Sequence, residues 1–173
     1  MAVLEILEAP DPRLNTVCHP IERIDAGLLR LLDDMLETMY QAPGIGLAAP
    51  QVGVLRRAFV VDLSEDDEPE PMALINPELV WRSETTNTAE EGCLSLPKQF
   101  GEVTRADQVR LRYLDRDGQR REISAEGLFA RCLQHELDHL DGVLFIDHLS
   151  ALKRNLILRR LIKARRSRLK VSA

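Results

Sequence analysis

Two histidines, His135 and His139, have the spacing of two ligands to a single metal ion. They lie within residues 134–139 (QHELDH), inside a predicted helix. Residues four positions apart project from one face of a helix, so both imidazoles can reach the same cation. Glu136 follows the first histidine directly, which places its carboxylate beside a metal-bound water rather than on the metal and suits a general base. The segment therefore predicts a catalytic metal site; the alternative is a pair of helix-surface histidines without metal.

The third ligand has two candidates among the three cysteines. A catalytic site uses three protein ligands and keeps one position open. Cys132 precedes His135 by one helical turn, so periodicity favours it. However, three ligands along one helix would span about seven residues, or roughly 10 Å, which an ion with bonds of about 2.0–2.3 Å cannot bridge. That distance favours Cys93, in the turn-like segment 90–95 (EEGCLS), as ligand and Cys132 as a pocket wall. Cys18 has no partner at metal spacing and is expected to be structural.

A glycine-rich segment, residues 44–51 (GIGLAAPQ), is the third stretch whose residues could take part in catalysis or binding. Its two glycines permit close approach of the backbone to another group, and its alanines leave room. It lacks the spacing and the following lysine of a phosphate-binding loop. Gln51 is either a surface amide or, if it faces the metal, a hydrogen-bond donor to an oxyanion. Taken alone, the segment predicts no more than a turn in which the backbone can approach another group closely.

Three amphipathic helices are predicted to position these groups. The first covers about 25–40, with Asp25 as N-cap and apolar residues at three- and four-residue spacing. The second covers about 126–141, carries both histidines and ends at Gly142. The third begins after Ser150, and its apolar face is formed by Leu152, Leu156, Ile157, Leu161 and Ile162.

Four short strands are predicted, at 58–63, 73–80, 108–114 and 122–125. The last two are joined by a turn at Asp117-Gly118 that indicates a hairpin. The acidic, proline-broken segment 64–71 is predicted to be a solvated loop. This order of elements predicts an α+β fold in which mostly antiparallel sheets pack around a central metal-binding helix, with an N-terminal and a C-terminal helix.

Length and composition are those of an ordinary globular protein. The chain has 173 residues, 45% hydrophobic and 29% charged, which suits one domain over 1–173 and excludes a disordered chain. No apolar stretch is long enough for a membrane span, and the N-terminus lacks the pattern of a secretory signal. Three widely spaced cysteines argue against a disulfide framework and indicate a reducing, cytoplasmic compartment. The few aromatic residues argue against a surface on which bases stack.

Charge is distributed unevenly along the chain. The net charge is −5, but residues 150–173 hold nine basic residues and no acidic one, so the rest of the chain carries −14. A basic C-terminal helix has three interpretations: a solvated face that caps the body, a ribosome-docking element attracted by RNA phosphates, or a membrane-surface helix. The shortage of aromatic residues disfavours the membrane.

Three motifs together resemble peptide deformylases of the bacterial type. They are residues 44–51, residues 91–95 (EGCLS) and residues 134–139, in the order and at distances compatible with that family. The resemblance extends over most of the chain. It implies a hydrolase that removes the formyl group from the N-terminal formylmethionine of newly synthesised polypeptides and releases formate. It also implies a metal centre that binds one Fe²⁺, for which Zn²⁺, Ni²⁺ or Co²⁺ can substitute, through Cys93, His135 and His139.

The resemblance implies roles for further residues. Glu136 activates a metal-bound water, as general base and then as general acid. The Gln51 amide and the Leu94 backbone N–H hold the oxyanion. N-formylmethionyl peptides pair with the backbone as an added strand. The substrate-binding residues that the family implies are Gly44, Ile45, Gly46, Glu91, Gly92, Leu128 and Cys132.

One departure from the family concerns the peptide beyond methionine. Some bacterial members have an arginine that contacts the bound peptide at the position where this chain has Phe100. Arg105 either pairs with Glu91 beside the site or is solvated. The resemblance further implies a cytoplasmic monomer that acts on nascent chains, binds neither DNA nor membranes, and docks on the ribosome through its C-terminal helix.

Two other classes of function compete with this hypothesis. A metallopeptidase with the same pair of histidines would cleave internal peptide bonds, but it leaves Cys93 and Gln51 without a purpose. A structural-metal module for ribosome or RNA binding would recruit Cys132 as a fourth ligand and would tolerate the loss of Glu136.

Overall fold

One helix, seven strands and two further helices follow one another in this computed structural model, which describes residues 1–65 and 67–172. The helices are α1 (Ala26–Gln41), α2 (Gly127–Leu140) and α3 (Ala151–Ser172). The strands are β1 (Gly46–Ala48), β2 (Ala58–Val61), β3 (Met72–Arg82), β4 (Thr86–Cys93), β5 (Leu96–Ala106), β6 (Gln108–Leu114) and β7 (Arg120–Glu126). Every ladder between these strands is antiparallel. The predicted α+β class with antiparallel sheets is confirmed.

Local sequence signals explain most of the element boundaries. Helix α1 begins after Asp25, whose side chain accepts a hydrogen bond from the Leu28 N–H at 2.9 Å, as an N-cap should. Helix α2 ends two residues before Gly142, which has a φ of 74°. Strand β6 has the predicted bounds, and β7 returns beside it after a turn in which Gly118 has a φ of 77°. The predicted hairpin is therefore confirmed.

A five-stranded sheet, in the order β1-β2-β3-β6-β7, separates α1 from α2. Successive side chains of a strand point to opposite faces, and all four residues of β2 are buried. Phe59 and Val61 pack in the cluster that contains α2, whereas Ala58 and Val60 pack in the cluster that contains α1. The metal-motif helix thus lies against a sheet whose other face is covered by α1.

The second sheet was not predicted. Strands β4 and β5 form a two-stranded hairpin, and the interpretation of residues 90–95 as a turn was wrong up to Cys93, because 86–93 is a strand. Its run of exposed polar residues hides the strand, since β4 buries only Glu91 fully. Helix α2 contacts this hairpin through β5 as well as β1, β2 and β7 of the larger sheet, and is central as expected.

Helix α3 has a narrower apolar face than predicted. Ile157 and Leu161 are buried in a cluster with Leu96 and Phe145, but Leu152 is 72% exposed. Ile157 and Leu161, one helical turn apart, are therefore the buried anchors of the helix, Leu158 packs beside them, and eight of the nine basic residues are exposed.

The acidic segment between β2 and β3 is exposed and has neither helix nor strand at residues 64, 65 and 67–71. This part of the predicted loop is confirmed. Asp66 belongs to the same prediction and lies outside the described residues.

Candidate active site

Helix α2 carries both predicted histidines on the face toward the β4–β5 hairpin. The ring centroids of His135 and His139 lie 5.0 Å apart, with the planes at 72° to each other. The ring of Phe145 stacks beside His135 at 6.5 Å. The i to i+4 spacing therefore does place two imidazoles side by side, as helix geometry requires.

Cys93 completes the cluster from the end of β4. The β4–β5 register shifts between Gly92 and Cys93, and such an irregularity can re-aim a side chain. The Cys93 Sγ lies 3.4 Å from His139 Nε2, and one ligand atom from each of Cys93, His135 and His139 lies within 4.8 Å of the others. The Cys132 thiol instead faces the backbone of Ile45, and burial raises its pKa well above the usual value, which keeps it protonated.

Glu91, two residues before Cys93, orients the first histidine. Its Oε1 lies 2.9 Å from His135 Nδ1, so Nδ1 donates and Nε2 is left to face the ligand cluster. Arg105 donates to both carboxylate oxygens, from Nε at 2.6 Å and from a terminal nitrogen at 2.9 Å. The Glu91–Arg105 pair is buried, so the alternative of a solvated Arg105 is wrong. Burial opposes ionisation of Glu91, but His135 and Arg105 outweigh it and hold its pKa well below the usual range.

Glu136 is buried against strand β1. A side chain on Gly46 would place its Cβ 2.6 Å from Glu136 Oε1, so glycine here leaves the carboxylate in its place. Glu136 Oε2 has no hydrogen-bond partner among the described residues. Burial raises the pKa of Glu136 to about 7. A carboxyl group with a free oxygen and a near-neutral pKa can both take and return a proton.

Gln51 reaches the cluster from the short turn after β1. Its Oε1 accepts a hydrogen bond from the Ala48 N–H at 2.9 Å, which turns Nε2 toward the metal cluster. Nε2 lies 3.5 Å from Cys93 Sγ and 3.1 Å from Ser95 Oγ. Gln51 is buried, and the alternative of a surface amide is therefore wrong.

The donor set fits a divalent metal ion. Burial lowers the pKa of His139 well below its usual value, which favours the neutral imidazole that binds metals. Burial alone would also lower the pKa of His135, but Cys93 and Glu91 raise it well above the usual value. Those same groups would attract a cation in place of the proton. One thiolate and two imidazoles suit a borderline-soft divalent ion.

A cleft of about 780 Å³ opens beside the cluster. It brings together the sequence-predicted groups Gly44, Ile45, Gly46, Gln51, Glu91, Gly92, Cys93, Leu94, Leu128, Cys132, His135 and Glu136. His139 lies behind them and is 1% exposed. Ile45, Leu128 and Phe100 are exposed apolar residues around the cleft.

Arg131 also lines the cleft and is 6% exposed, but the motifs in the sequence did not predict it as a site residue. A signal was present, because Arg131 stands between buried Ala130 and Cys132, one helical turn before His135. A cation at that position of a helix needs a buried partner. Its partner, Glu91, comes from a strand that local patterning did not reveal.

Residues 3–155 match the sequence profile of the polypeptide deformylase family. The chain belongs to this family. The peptide deformylase of Azotobacter vinelandii is 57% identical over 166 residues, which cover 96% of this chain and 98% of that one. The peptide deformylase of Rhizorhabdus wittichii is 53% identical over 97% of this chain and 98% of its own.

Solved deformylase structures share the fold. The peptide deformylase of Legionella pneumophila has a TM-score of 0.91 and 46% identity, and the match covers 97% of this chain and 98% of that one. A peptide deformylase of Ehrlichia chaffeensis, solved in complex with actinonin, has a TM-score of 0.92 and 40% identity, with 95% and 98% covered.

Membership of the deformylase family settles the activity. The chain is a metal-dependent hydrolase that removes the formyl group from the N-terminal methionine of polypeptides, as the resemblance implied. Its substrates are N-formyl peptides. Among the described residues, none of the helices combines the length and the hydrophobicity needed to cross a membrane.

Proposed function

We propose that Cys93, His135 and His139 form the metal centre of this deformylase and that its metal is Fe²⁺, for which Zn²⁺, Ni²⁺ or Co²⁺ can substitute. The convergence of the three ligand atoms within 4.8 Å, at the wall of an open cleft, carries this proposal. Three protein ligands leave a position for a small molecule. When bound, the metal supplies Lewis-acid chemistry, because it lowers the pKa of water and polarises a carbonyl group.

Glu136 moves the protons of the reaction in this proposal. Its carboxylate takes a proton from the water that attacks the formyl carbon, and the resulting acid gives that proton to the departing amine. Burial that raises the pKa of Glu136 to about 7 suits both steps near neutral pH. The orphaned Oε2, in a carboxyl group directed at the cleft, supports this role.

Two donors hold the negative charge that develops on the formyl oxygen. Gln51 Nε2 is aimed into the site by the bond that its Oε1 accepts from Ala48. The backbone N–H of Leu94, in the turn directly after Cys93, is the second donor. Preorganised donors of this kind cost no reorganisation when the charge appears.

The methionine side chain enters an apolar pocket beside the metal ligands. Ile45, Leu128 and Cys132 supply apolar walls of the cleft, and Glu91 and Gly92 border it from the hairpin. Strand β1 is the edge of the larger sheet, and Gly44 and Ile45 lead into its first residue, Gly46. An extended peptide can pair with such an edge as an additional strand.

Phe100 gives the mouth of the cleft an apolar character. It is 60% exposed and pairs with Gly92 across the hairpin, where its ring would contact any Cβ at 2.8 Å. Peptides with an apolar residue after methionine would cover this ring and remove its surface from water. We therefore expect anchoring of the peptide by hydrophobic contact at a position where some relatives use an arginine.

Formate release from formyl-Met-Ala tests the assignment of Glu136. The Glu136→Ala variant should lose at least about 100-fold in turnover, because acid–base catalysis contributes on that scale, and should keep its metal. The Cys93→Ser variant should lose metal affinity, whereas Cys132→Ser should bind metal like the natural chain.

The same measurements separate the competing hypotheses. Metal loss in Cys132→Ser, together with full activity in Glu136→Ala, would indicate a closed structural site. Cleavage of unformylated peptides at internal bonds would indicate a metallopeptidase. Either result would contradict the proposed metal centre and its chemistry.

The basic α3 helix is proposed to dock this enzyme on ribosomes as a monomer in the cytoplasm. Eight of its basic residues are exposed: Lys153, Arg159, Arg160, Lys163, Arg165, Arg166, Arg168 and Lys170. Ribosomal RNA phosphates would attract such a surface in a salt-dependent way. Docking would bring the cleft to formylated chains as they emerge.

A further inference from the structure

Arg131 contacts the same carboxylate as the metal-ligand candidate His135. The two residues are four positions apart on α2 and therefore lie on one face of the helix. Glu91 bridges them from β4, with Oε2 accepting from an Arg131 terminal nitrogen at 2.6 Å and Oε1 facing His135 Nδ1 at 2.9 Å. Each carboxylate oxygen thus serves one residue of the helix.

The guanidinium of Arg131 is anchored on both of its terminal nitrogens. The nitrogen that binds Glu91 also donates to the Val103 carbonyl at 2.8 Å. The other nitrogen donates to the Asn87 carbonyl at 3.0 Å and to the Asn87 side chain at 2.5 Å. Four hydrogen bonds to two strands leave the guanidinium little freedom to move. It can therefore hold the Glu91 carboxylate in one position.

Two arginines surround the buried Glu91 carboxylate. Arg105 and Arg131 bind Glu91, and Arg105 also donates to Asp138 at 2.8 Å. Glu91 therefore has two cationic partners besides His135, while the half-buried Asp138 shares Arg105 and also contacts His148 at 2.8 Å. Arg105 holds both oxygens of Glu91 from β5, and Arg131 adds a bond to Oε2 from α2. Because α2 also carries His135, Arg131 fixes the carboxylate relative to that histidine.

We propose that Arg131 is a positioning residue of the metal centre, which holds Glu91 so that His135 keeps its Nδ1–H directed to Glu91 and its Nε2 directed to the metal. The inference rests on the proposed role of His135 as a ligand. Loss of a group that orients a metal ligand typically lowers metal affinity by about 10- to 100-fold. Arg131 is thus a further residue needed for tight metal binding, and not only a tie between α2 and the hairpin.

Metal affinity of the full chain tests the proposal. The metal-free protein is titrated with Co²⁺ or Zn²⁺ against a chromophoric chelator, and the Co²⁺ absorption spectrum reports ligand geometry. The Arg131→Met variant should bind the metal at least about 10-fold more weakly, the usual loss when a group that orients a metal ligand is removed. Its Co²⁺ absorption spectrum should also change. Arg131→Lys keeps the charge but cannot reach Glu91 and Asn87 together. Its metal affinity should therefore lie between those of the natural chain and Arg131→Met.

Arg57→Met is the matched control. Arg57 also binds α2, through the Leu140 carbonyl at 3.0 Å and the Asp141 carboxylate at 2.9 Å, but it does not contact Glu91. The Arg57→Met variant should have a Kd for the metal within about twofold of that of the natural chain, even if its melting temperature falls. A natural Kd and spectrum in both Arg131 variants would overturn the proposal, and if Arg131→Met does not fold, Arg131→Lys decides alone.

Cys93→Ser distinguishes failure of this inference from failure of the proposed metal centre. If Cys93→Ser binds metal weakly while the Arg131 variants bind it normally, the ligand set stands and only the positioning role is wrong. If Cys93→Ser also binds metal normally, the ligand set is wrong and the role of Arg131 falls with it.

Discussion

The direction of the Gln51 amide is decided at the residue scale. An amide can present either its oxygen or its nitrogen to a site. Here the Ala48 N–H at 2.9 Å requires an acceptor, so the oxygen lies on that side and the nitrogen faces Cys93 and Ser95. One backbone hydrogen bond thereby converts a neutral side chain into a fixed donor beside the metal ligands.

Gln51→Leu should lower the turnover of formyl-Met-Ala by about 100-fold or more, the usual effect of losing one oxyanion donor. Metal content should stay near that of the natural enzyme, because all three proposed ligands are kept. Ser95→Ala is the control, since it removes the other partner of Nε2 at 3.1 Å but not the donor. Equal losses in both variants, or unchanged turnover in Gln51→Leu, would contradict the oxyanion role.

Residue types and spacing predicted the side chains that line the cleft better than they predicted the buried side chains that hold those groups in place. His135, His139 and Glu136 share one short motif whose geometry follows from the helix alone. Arg131 and Glu91 are 40 positions apart, and their contact exists only because β4 pairs with β5 beside α2. No local pattern contains that information.

At the element scale, the strands of the two sheets differ in how well their hydrophobic pattern predicts them. Strand β2 is buried on both faces and appears as an apolar run, AFVV, that predicts a strand directly. Strand β4 has one fully buried residue, the charged Glu91, so its burial depends on Arg105 and Arg131 rather than on hydrophobic pattern. The hairpin that delivers Cys93 could therefore not be predicted from periodicity.

A hydrogen bond between two element ends fastens the segment that leads into β1. Tyr40, in the last turn of α1, donates from its hydroxyl to Asp62, which follows β2, at 2.5 Å. The Asp62 N–H in turn donates to the Ile45 carbonyl at 2.9 Å. The backbone that borders the substrate cleft is thus held from both α1 and β2.

This fastening should be visible in a tyrosine titration. Burial and the bond to Asp62 raise the pKa of Tyr40 to about 12. The bond therefore stabilises the folded chain fully below the usual tyrosine pKa of about 10 and is lost as the pH rises through about 12. In Asp62→Asn, tyrosinate absorbance should appear at lower pH than in the natural chain, because the charged acceptor is gone.

Tyr40→Phe assigns that transition, since only Tyr113 then titrates. Burial also raises the pKa of Tyr113, which serves as an internal reference that Asp62→Asn should leave in place. Identical titration curves for Asp62→Asn and the natural chain would show that Asp62 does not hold Tyr40.

On the scale of the whole molecule, opposite charges are separated between body and tail. The body carries −14, whereas residues 150–173 carry +9. Among the described residues, two ion pairs join the tail to the body, Arg168 to Glu8 at 2.5 Å and Arg154 to Asp147 at 2.8 Å. Exposed ion pairs of this kind stabilise the fold by about 1 kcal/mol at most. Most of the tail's charge is consequently available to a polyanion.

The place of a truncation decides whether it tests docking or merely damages the fold. Ile157 and Leu161 of α3 are buried against Phe145, whose ring stacks on His135, so a cut before Ile157 would uncover the core beside the metal centre. A chain that ends at Lys163 keeps both anchors and loses four exposed cations.

The chain that ends at Lys163 should hydrolyse formyl-Met-Ala like the full chain but bind ribosomes at least about 10-fold more weakly in sedimentation at low salt. If all four lost cations contact phosphates, the slope of log affinity against log salt should become shallower by about 3. A full-length variant with Arg110→Gln, Arg112→Gln, Arg120→Gln and Arg121→Gln, which removes four exposed cations of the β6–β7 hairpin, controls for total charge. Equal ribosome binding by the truncated and full chains would show that α3 only covers the body, because a docking helix cannot lose its outer cations without losing affinity for RNA.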